Sequence, residues 1–188
     1  FRTRLTKKPS KVVEKQASLI AQWMLVGFIH GVMNTDNTAV SGETIDFGPC
    51  AFMDSYHPKT VFSSIDRFGR YAYVNQPGIA FWNLARFAET LLPIINPSPD
   101  HAAQLAKKII EKFPERFENK WLKGMRRKIG LFSKDVGDQE LITQLLNVME
   151  ENALDFTATF RSLYDSTTDG SGKIIIPEET PESLITWL

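Results

Sequence analysis

The stretch from residue 30 to residue 49, HGVMNTDNTAVSGETIDFGP, constrains the fold of this chain more than any other feature. It opens with His30 and Gly31, places Asn37 seven residues after the histidine, and closes on Asp-Phe-Gly-Pro at residues 46–49. Between these two motifs, short β-prone pairs flank a Ser-Gly turn, which predicts a hairpin over residues 38–47. The sequence therefore predicts two polar loops, 30–37 and 46–49, that a small hairpin brings side by side.

Two such loops are typical of phosphoryl-transfer enzymes of the kinase type. There one loop, H-R-D-x-x-x-x-N, supplies an acid and an asparagine, and the D-F-G aspartate holds the metal that bridges the phosphates. In this chain His30 and Asn37 keep that register, but Val32 occupies the position of the acid, and the loop's aspartate is Asp36. Amide and carboxylate oxygens suit magnesium or manganese. Alternatively, D-F-G is three common residues, and N-T-D-N can be a turn rich in Asx caps.

Helical periodicity dominates the rest of the chain. Helices are predicted over about residues 10–29, 77–92, from 98 onward, 114–129, 137–152 and 155–164. Residues 50–76 lack a helical period and are predicted to form a long ordered loop with aromatic anchors. Residues 166–172 have the composition of a linker, and the tail after them is predicted to contain a short strand and a last half-turn of helix behind Thr180-Pro181. The predicted fold class is mainly α with a small β-hairpin.

The amino-acid composition limits the classes of partner that this chain can bind. The 22 basic and 22 acidic side chains cancel, which argues against a broad electrostatic grip on nucleic acid or on an anionic membrane. The single cysteine, Cys50, excludes an internal disulfide and fits a reducing compartment. No apolar run approaches the roughly 20 residues needed to cross a bilayer.

The stretch 30–49 resembles the selenoprotein O family, whose signature reads nearly the same through H-G-V-M-N-T-D-N and D-[FY]-G-P. The likeness continues in Asn-Gln-Pro at residues 75–77 and in residues 79–84, and more weakly at 155–157, so that it covers about residues 12–165. The resemblance implies a protein-kinase-like fold of which residues 1–165 are the C-lobe core, with residues 166–188 as linker and tail. It also implies an enzyme that binds ATP in a reversed orientation and transfers AMP to Ser, Thr or Tyr hydroxyls of proteins.

Carried onto this chain, the resemblance implies that Asp36 is the catalytic acid or base and that Asn37 and Asp46 bind Mg²⁺. Some bacterial members have been linked to uridylyl transfer with Mn²⁺, so the nucleotide and the metal stay open. In the family, a glycine-rich segment and phosphate-binding Lys and Arg residues precede the stretch seen here. We therefore expect a fragment that is inactive by itself, because half of the charge that holds the phosphates is absent. The expected location is the bacterial cytoplasm, or the mitochondrion if the chain is eukaryotic.

Two other functions stay open. The first is a phosphotransferase of the aminoglycoside-kinase type, whose loop also begins His-Gly; Val32 in place of the acid counts against it. The second is a pseudoenzyme that binds a nucleotide or a partner without turnover; the presence of Asp36, Asn37 and Asp46 counts against decay of the site.

Several single residues have both a structural and a functional interpretation. We expect His30 to be a structural anchor rather than a base, and Cys50 to pack rather than react. The aromatic residues of the second helix, Phe81, Trp82 and Phe87, are predicted to be core, with Asn83 on its polar edge. For the basic cluster over residues 123–128 we favour an interaction with the helix C-terminus over an acidic-substrate dock. Asn75 and Gln76 could cap a helix or face a substrate, and the sequence does not decide between these roles.

Overall fold

A computed structural model of the chain describes residues 2–165 and 180–188. Its helices are α1 (Arg2–Leu25), α2 (Gln76–Ile95), α3 (Pro99–Ile110), α4 (Phe113–Lys128), α5 (Asp138–Glu151), α6 (Phe156–Asp165) and α7 (Glu182–Trp187). Two short strands, β1 (Phe28–Ile29) and β2 (Ala51–Phe52), pair antiparallel. The predicted fold class, mainly α with a small antiparallel β element, is confirmed at this level.

Helix α1 lies at the centre of the described structure and packs against α2, α3 and α4. Its buried positions recur at spacings of four and three, as the sequence predicted, and each contributes to the core: Val13, Ala17, Ile20 and Met24. Helix α2 is longer than predicted, because Pro93 lies within the helix rather than ending it. The helices predicted from residues 98, 114, 137 and 155 are all present.

The first helix ends earlier than predicted. Instead of continuing to residue 29, α1 stops at Leu25, and the chain turns at Gly27, whose φ of +68° is a left-handed conformation that favours glycine. A side chain at Gly27 would also place its Cβ 2.9 Å from the ring of Phe156. The tight turn lets the following residues leave the helix axis and form β1.

The predicted hairpin over residues 38–47 is wrong. The strand pair is instead β1 with β2, which joins Phe28 to Phe52 and closes residues 30–50 into one loop. The turn within the predicted hairpin does form, since Gly42 N donates to Ala39 O at 3.0 Å. The flanking segments do not pair with each other, and the first of them contacts α1 instead, since Gln16 Nε2 donates to Ala39 O at 2.6 Å.

The long loop over residues 50–76 is confirmed as mostly irregular, apart from β2 and a 3₁₀ turn at Tyr73–Asn75. Its predicted aromatic anchors are Tyr56 and Tyr73, which are buried against Phe156. The helix predicted behind Thr180-Pro181 is α7, whereas the predicted linker and the predicted strand in the tail lie wholly or largely outside the described residues. None of the described helices is long and apolar enough to cross a membrane.

Candidate active site

The two predicted loops are ends of the single loop that β1 and β2 close. Gly31 opens it with φ +83°, and a Cβ at this glycine would lie 3.0 Å from Cγ and 3.1 Å from the carbonyl oxygen of Pro49. Both the positive φ and these tight contacts favour glycine here, since any other residue would strain the backbone and push Pro49 away. The beginning of the first motif therefore lies directly against the end of the second.

His30 joins the motifs a second time. The side chain is fully buried, and its Nε2 lies 2.8 Å from the carbonyl oxygen of Ile45, the residue before Asp46. Its Nδ1 accepts a longer hydrogen bond, 3.4 Å, from Val32 N. This pair of contacts requires the tautomer with the proton on Nε2 and leaves neither ring nitrogen for a metal or a substrate. The interpretation of His30 as a structural anchor is confirmed.

Asp36 and Asn37 lie together on a 3₁₀ turn, Thr35–Asn37, which is exposed at Asp36. The turn is closed by Asn37 N, which donates to Asn34 O at 3.1 Å. The Asn37 side chain donates from Nδ2 to Val32 O at 3.0 Å. Because its amide nitrogen is committed in this way, the amide oxygen is the atom left to bind a ligand.

Asp46 has an unusual backbone. Its φ is +56°, a conformation that non-glycine residues adopt rarely and that Asp and Asn tolerate better than most. Gly48 N donates to Asp46 O at 2.8 Å, and the Asp46 side chain is exposed. Strained backbone of this kind concentrates at functional sites. An aspartate here, rather than a glycine, is consistent with a role for its carboxylate.

These side chains are a sparse ligand set for a metal. Within residues 2–165 and 180–188, no group of three or more His, Cys, Asp or Glu side chains could hold an ion. Asn37 and Asp46 offer one amide oxygen and one carboxylate. Mg²⁺ is usually held by one or two carboxylates together with waters and substrate phosphates. The two oxygen types are ones that Mg²⁺ accepts, although two protein ligands alone do not form a closed metal site.

Helix α1 supports the loop with two side chains that the sequence analysis did not single out. Gln16 is buried and bonds Ala39 O, as described above. Trp23 donates from Nε1 to Thr44 Oγ1 at 3.0 Å. The sequence held a signal for Gln16, because it follows Val13 by three residues and precedes Ile20 by four, which places it on the apolar face of the helix. A polar residue on a core face needs a buried partner.

Helix α2 supports the loop from the other side through Gln76. This side chain is fully buried, donates from Nε2 to Phe28 O at 2.9 Å and accepts from His30 N at 3.0 Å through Oε1. The open question about Gln76 is thus decided in favour of a structural role. Asn75, by contrast, is exposed and donates to Gly69 O at 2.7 Å.

Asn83 is the second support from α2, and its predicted place on a polar edge is wrong. It is only 3% exposed, and its Nδ2 donates to Met33 O at 3.0 Å and to Thr38 Oγ1 at 2.9 Å. These two acceptors lie on either side of Asp36 and Asn37 in the sequence. The prediction rested only on the polar character of Asn83. Its place in the structure is decided by the buried carbonyl of Met33, which needs a hydrogen-bond donor.

Other predictions have mixed outcomes. Trp82 was predicted to be core but is 42% exposed, and the guanidinium groups of Arg70 and Arg86 lie over its ring at 5.1 and 5.3 Å from the centroid. In the basic cluster, Arg126 pairs with the buried Asp138, and Lys128 Nζ donates to Leu25 O at 2.6 Å. Lys128 thus interacts with a helix C-terminus as predicted, but with that of α1 rather than its own. Cys50 packs against the core.

Comparison with known proteins gives a consistent result. Residues 3–180 match the family model described as "Protein adenylyltransferase SelO". The chain is 61% identical over 161 residues to "Protein nucleotidyltransferase YdiU" of Alkaliphilus metalliredigens (strain QYMF), an alignment that covers 86% of this chain and 33% of that protein. It is 57% identical over 181 residues to the protein of the same description from Rhizobium leguminosarum bv. trifolii (strain WSM2304), covering 95% of this chain and 36% of that protein. The chain thus spans about a third of the length of these relatives.

Proposed function

The chain belongs to the SelO family of protein adenylyltransferases, and on that premise we propose that it forms the kinase-like C-lobe of an enzyme that transfers AMP from ATP to hydroxyl side chains of proteins. The observation that carries the proposal is the way in which the loop over residues 30–50 is held. Buried side chains hold it from both sides, yet Asp36 and Asp46 are exposed on it. A rigid frame around exposed carboxylates is the arrangement that preorganised catalysis needs.

In the proposed reaction the Asp36 carboxylate accepts the proton of the acceptor hydroxyl. The hydroxyl oxygen forms a bond to the α-phosphorus of ATP, and the bond between the α-phosphorus and the bridging oxygen breaks to release pyrophosphate. Asp36 occupies a different position in the loop from the kinase acid, which suits attack at the α rather than the γ phosphorus. Asn37 Oδ1 and the Asp46 carboxylate would hold Mg²⁺, which when bound neutralises charge on the phosphate oxygens.

The kinase-type phosphotransferase remains the second candidate because His30 and Asn37 keep the kinase register. Val32 stands where that reaction has its base, which favours AMP transfer. We further propose that the acceptors carry Ser, Thr or Tyr hydroxyls, that nucleic acid and membranes are not partners, and that the enzyme acts in the bacterial cytoplasm. The proposal includes that this chain alone is inactive, since the phosphates need positive charge from outside it.

The test uses the complete protein that contains this sequence, with ATP labelled at the α- or the γ-phosphate, and Mg²⁺ or Mn²⁺ supplied separately. Label on protein from the α position alone is the expected result. The matched variant is Asp46→Asn, because asparagine tolerates the left-handed backbone but removes the charge; it should abolish labelling without unfolding the protein. Label from the γ position would instead establish a kinase, and no label from either position would favour a binding protein. Labelling by residues 1–188 alone would contradict the proposed inactivity of the isolated chain.

A further inference from the structure

A cleft lies beside Asn34, the residue that precedes the 3₁₀ turn carrying Asp36. It has a volume of about 740 Å³. One side is formed by Val32 and Asn34 of the loop over residues 30–50, and the other by residues 63–71 of the long loop, which we call the arginine turn. The beginning of α2 closes its floor with Gly78 and Ile79. The AMP transfer proposed above does not use this cleft, whose lining residue Asn34 precedes Asp36 by two positions.

The arginine turn is held by one carboxylate. Asp66 accepts hydrogen bonds from Arg70 N and from Tyr71 N, both at 2.8 Å. Tyr71 in turn donates from its hydroxyl to Asn34 Oδ1 at 2.5 Å. The turn is thereby connected to the loop over residues 30–50 at a position two residues before Asp36, and the cleft borders the segment that carries the proposed base.

The cleft contains a local excess of positive charge among the residues that the structure describes. Arg67 and Arg70 both line it and both are exposed. Within the part of the chain that the structure describes, neither guanidinium group forms an ion pair with a carboxylate. Asp66, which precedes both arginines and also lines the cleft, accepts backbone N–H groups with its two oxygens and forms no ion pair with either guanidinium group, so two cations face one carboxylate here. The Arg70 guanidinium also lies over the rings of Trp82, at 5.1 Å, and Tyr71, at 5.7 Å, which limits its freedom.

The same turn exposes large apolar side chains. Phe68 is 99% and Ile65 83% exposed, and both line the cleft beside the arginines. Leaving two such side chains in water is unfavourable, and exposed apolar side chains beside a concave surface are typical of protein-binding sites. The phosphates of a nucleotide would use the arginines and its base would stack on Phe68, but the aliphatic Ile65 would be left without a partner. The combination of cationic and apolar groups fits a polypeptide better than a nucleotide.

We propose that this cleft binds the acceptor segment of the protein substrate, an extended stretch that carries acidic and apolar side chains next to the hydroxyl that receives AMP. This inference rests on the proposed function, because it places the acceptor hydroxyl near Asp36. Acidic side chains of the segment pair with Arg67 and Arg70, and apolar side chains cover Phe68 and Ile65. The overall charge of the chain is zero, so the preference comes from this local cluster and not from a general field.

The test measures binding of two fluorescein-labelled peptides to the complete protein by fluorescence anisotropy, without nucleotide. Both peptides contain one serine flanked by leucines, one has glutamates beside it, and the other has lysines in the same positions. The glutamate peptide should bind about tenfold more tightly than the lysine peptide. Arg67→Glu should reverse this order, a result that a merely misfolded protein cannot give. Phe68→Ser should weaken both peptides, and Arg127→Glu, on an exposed position of α4, should change neither.

Transfer of the α-phosphate label to the same peptides separates this inference from the proposed function. The expected result is a lower KM for the glutamate peptide and an inverted preference in Arg67→Glu, with kcat little changed. Equal labelling and equal binding of both peptides would overturn the cleft proposal while AMP transfer stands. Preferential binding without any α-label would overturn the proposed function while the peptide site stands. Loss of ATP affinity in Arg67→Glu would assign the arginines to the nucleotide and overturn the acceptor site.

Discussion

The loop over residues 30–50 and the arginine turn over residues 63–71 border the same cleft but are built in opposite ways. The first is held by side chains from two helices, among them the buried Gln16, Gln76 and Asn83. The second is held mainly by hydrogen bonds within itself, through Asp66, and leaves its apolar side chains in water. The contrast matches the two proposed roles, because reacting groups need fixed positions, whereas a surface that recognises a polypeptide can adapt to it.

The comparison predicts that removing a buried anchor of the first loop has the largest effect. Gln76→Leu would leave His30 N and Phe28 O buried without their partner. Each orphaned buried group costs about 1–3 kcal/mol, so we expect the free energy of unfolding to fall by about 2–4 kcal/mol in chemical denaturation. Gln104→Leu, an exposed glutamine on α3, is the matched control. A loss no larger than that of the control would show that the loop does not depend on this anchor.

Asn83→Ala tests the anchor nearest the proposed base. It removes the donor to Met33 O and to Thr38 Oγ1, and the expected loss of stability is about 1–3 kcal/mol. Transfer activity should fall further than the folded fraction does, because Asp36 and Asn37 lie between the two freed acceptors. Unfolding and α-label assays run at the same temperature measure the two effects. Asn119→Ala on the exposed side of α4 serves as the control, and activity that merely follows the folded fraction would contradict a positioning role.

Lys128 holds the end of α1, just before β1 and the base of the first loop. Its Nζ donates to Leu25 O and lies 3.7 Å from the ring centroid of Phe160. Burial lowers the pKa of Lys128 to about 8, from 10.5. Between these two values the unfolded chain keeps a proton that the folded chain has released, so stability rises with pH in this window.

The measurement is thermal unfolding of the wild type and of Lys128→Met at pH values from 7 to 10. The methionine keeps the apolar contact with Phe160 but cannot titrate. Stability of the wild type relative to the variant should therefore increase above a pH of about 8. The raised pKa values of the buried Tyr56 and Tyr73 act above this range and are common to both proteins. Parallel curves would mean that Lys128 does not exchange a proton on unfolding there.

The arginine turn should respond far more weakly. Asp66→Asn keeps the shape of the side chain but weakens its acceptance of hydrogen bonds from Arg70 N and Tyr71 N. Because the turn is exposed, we expect a loss of about 1 kcal/mol or less in chemical denaturation. A loss of stability as large as that of Gln76→Leu would contradict the contrast between the two segments, since both would then be integral to the fold.

The sequence predicted those features of the fold and of the site that depend on neighbouring residues, and it missed those that depend on residues far apart in the chain. The helices were predicted because apolar spacing is a local property, and His30, Asn37 and Asp46 were singled out by their spacing. The hairpin was wrongly predicted because Ala39 and Thr44 find their partners in α1, which no local pattern near residue 40 reveals. The segment 63–71 was predicted only as a loop. Whether Arg67 and Arg70 form ion pairs depends on residues that are distant in the sequence, and local patterns do not reveal these.

Asp46 gives the smallest expected change in stability and the sharpest separation of folding from function. Its φ of +56° costs an alanine about 1 kcal/mol but costs glycine nothing. We therefore expect Asp46→Gly to stay within about 1 kcal/mol of the wild type and Asp46→Ala to be less stable than Asp46→Gly, although both lose AMP transfer. Thermal unfolding and α-label transfer on the same preparations check this. Equal destabilisation by both substitutions would mean that the carboxylate itself holds the loop, and that Asp46 belongs with the buried anchors rather than with the reacting groups.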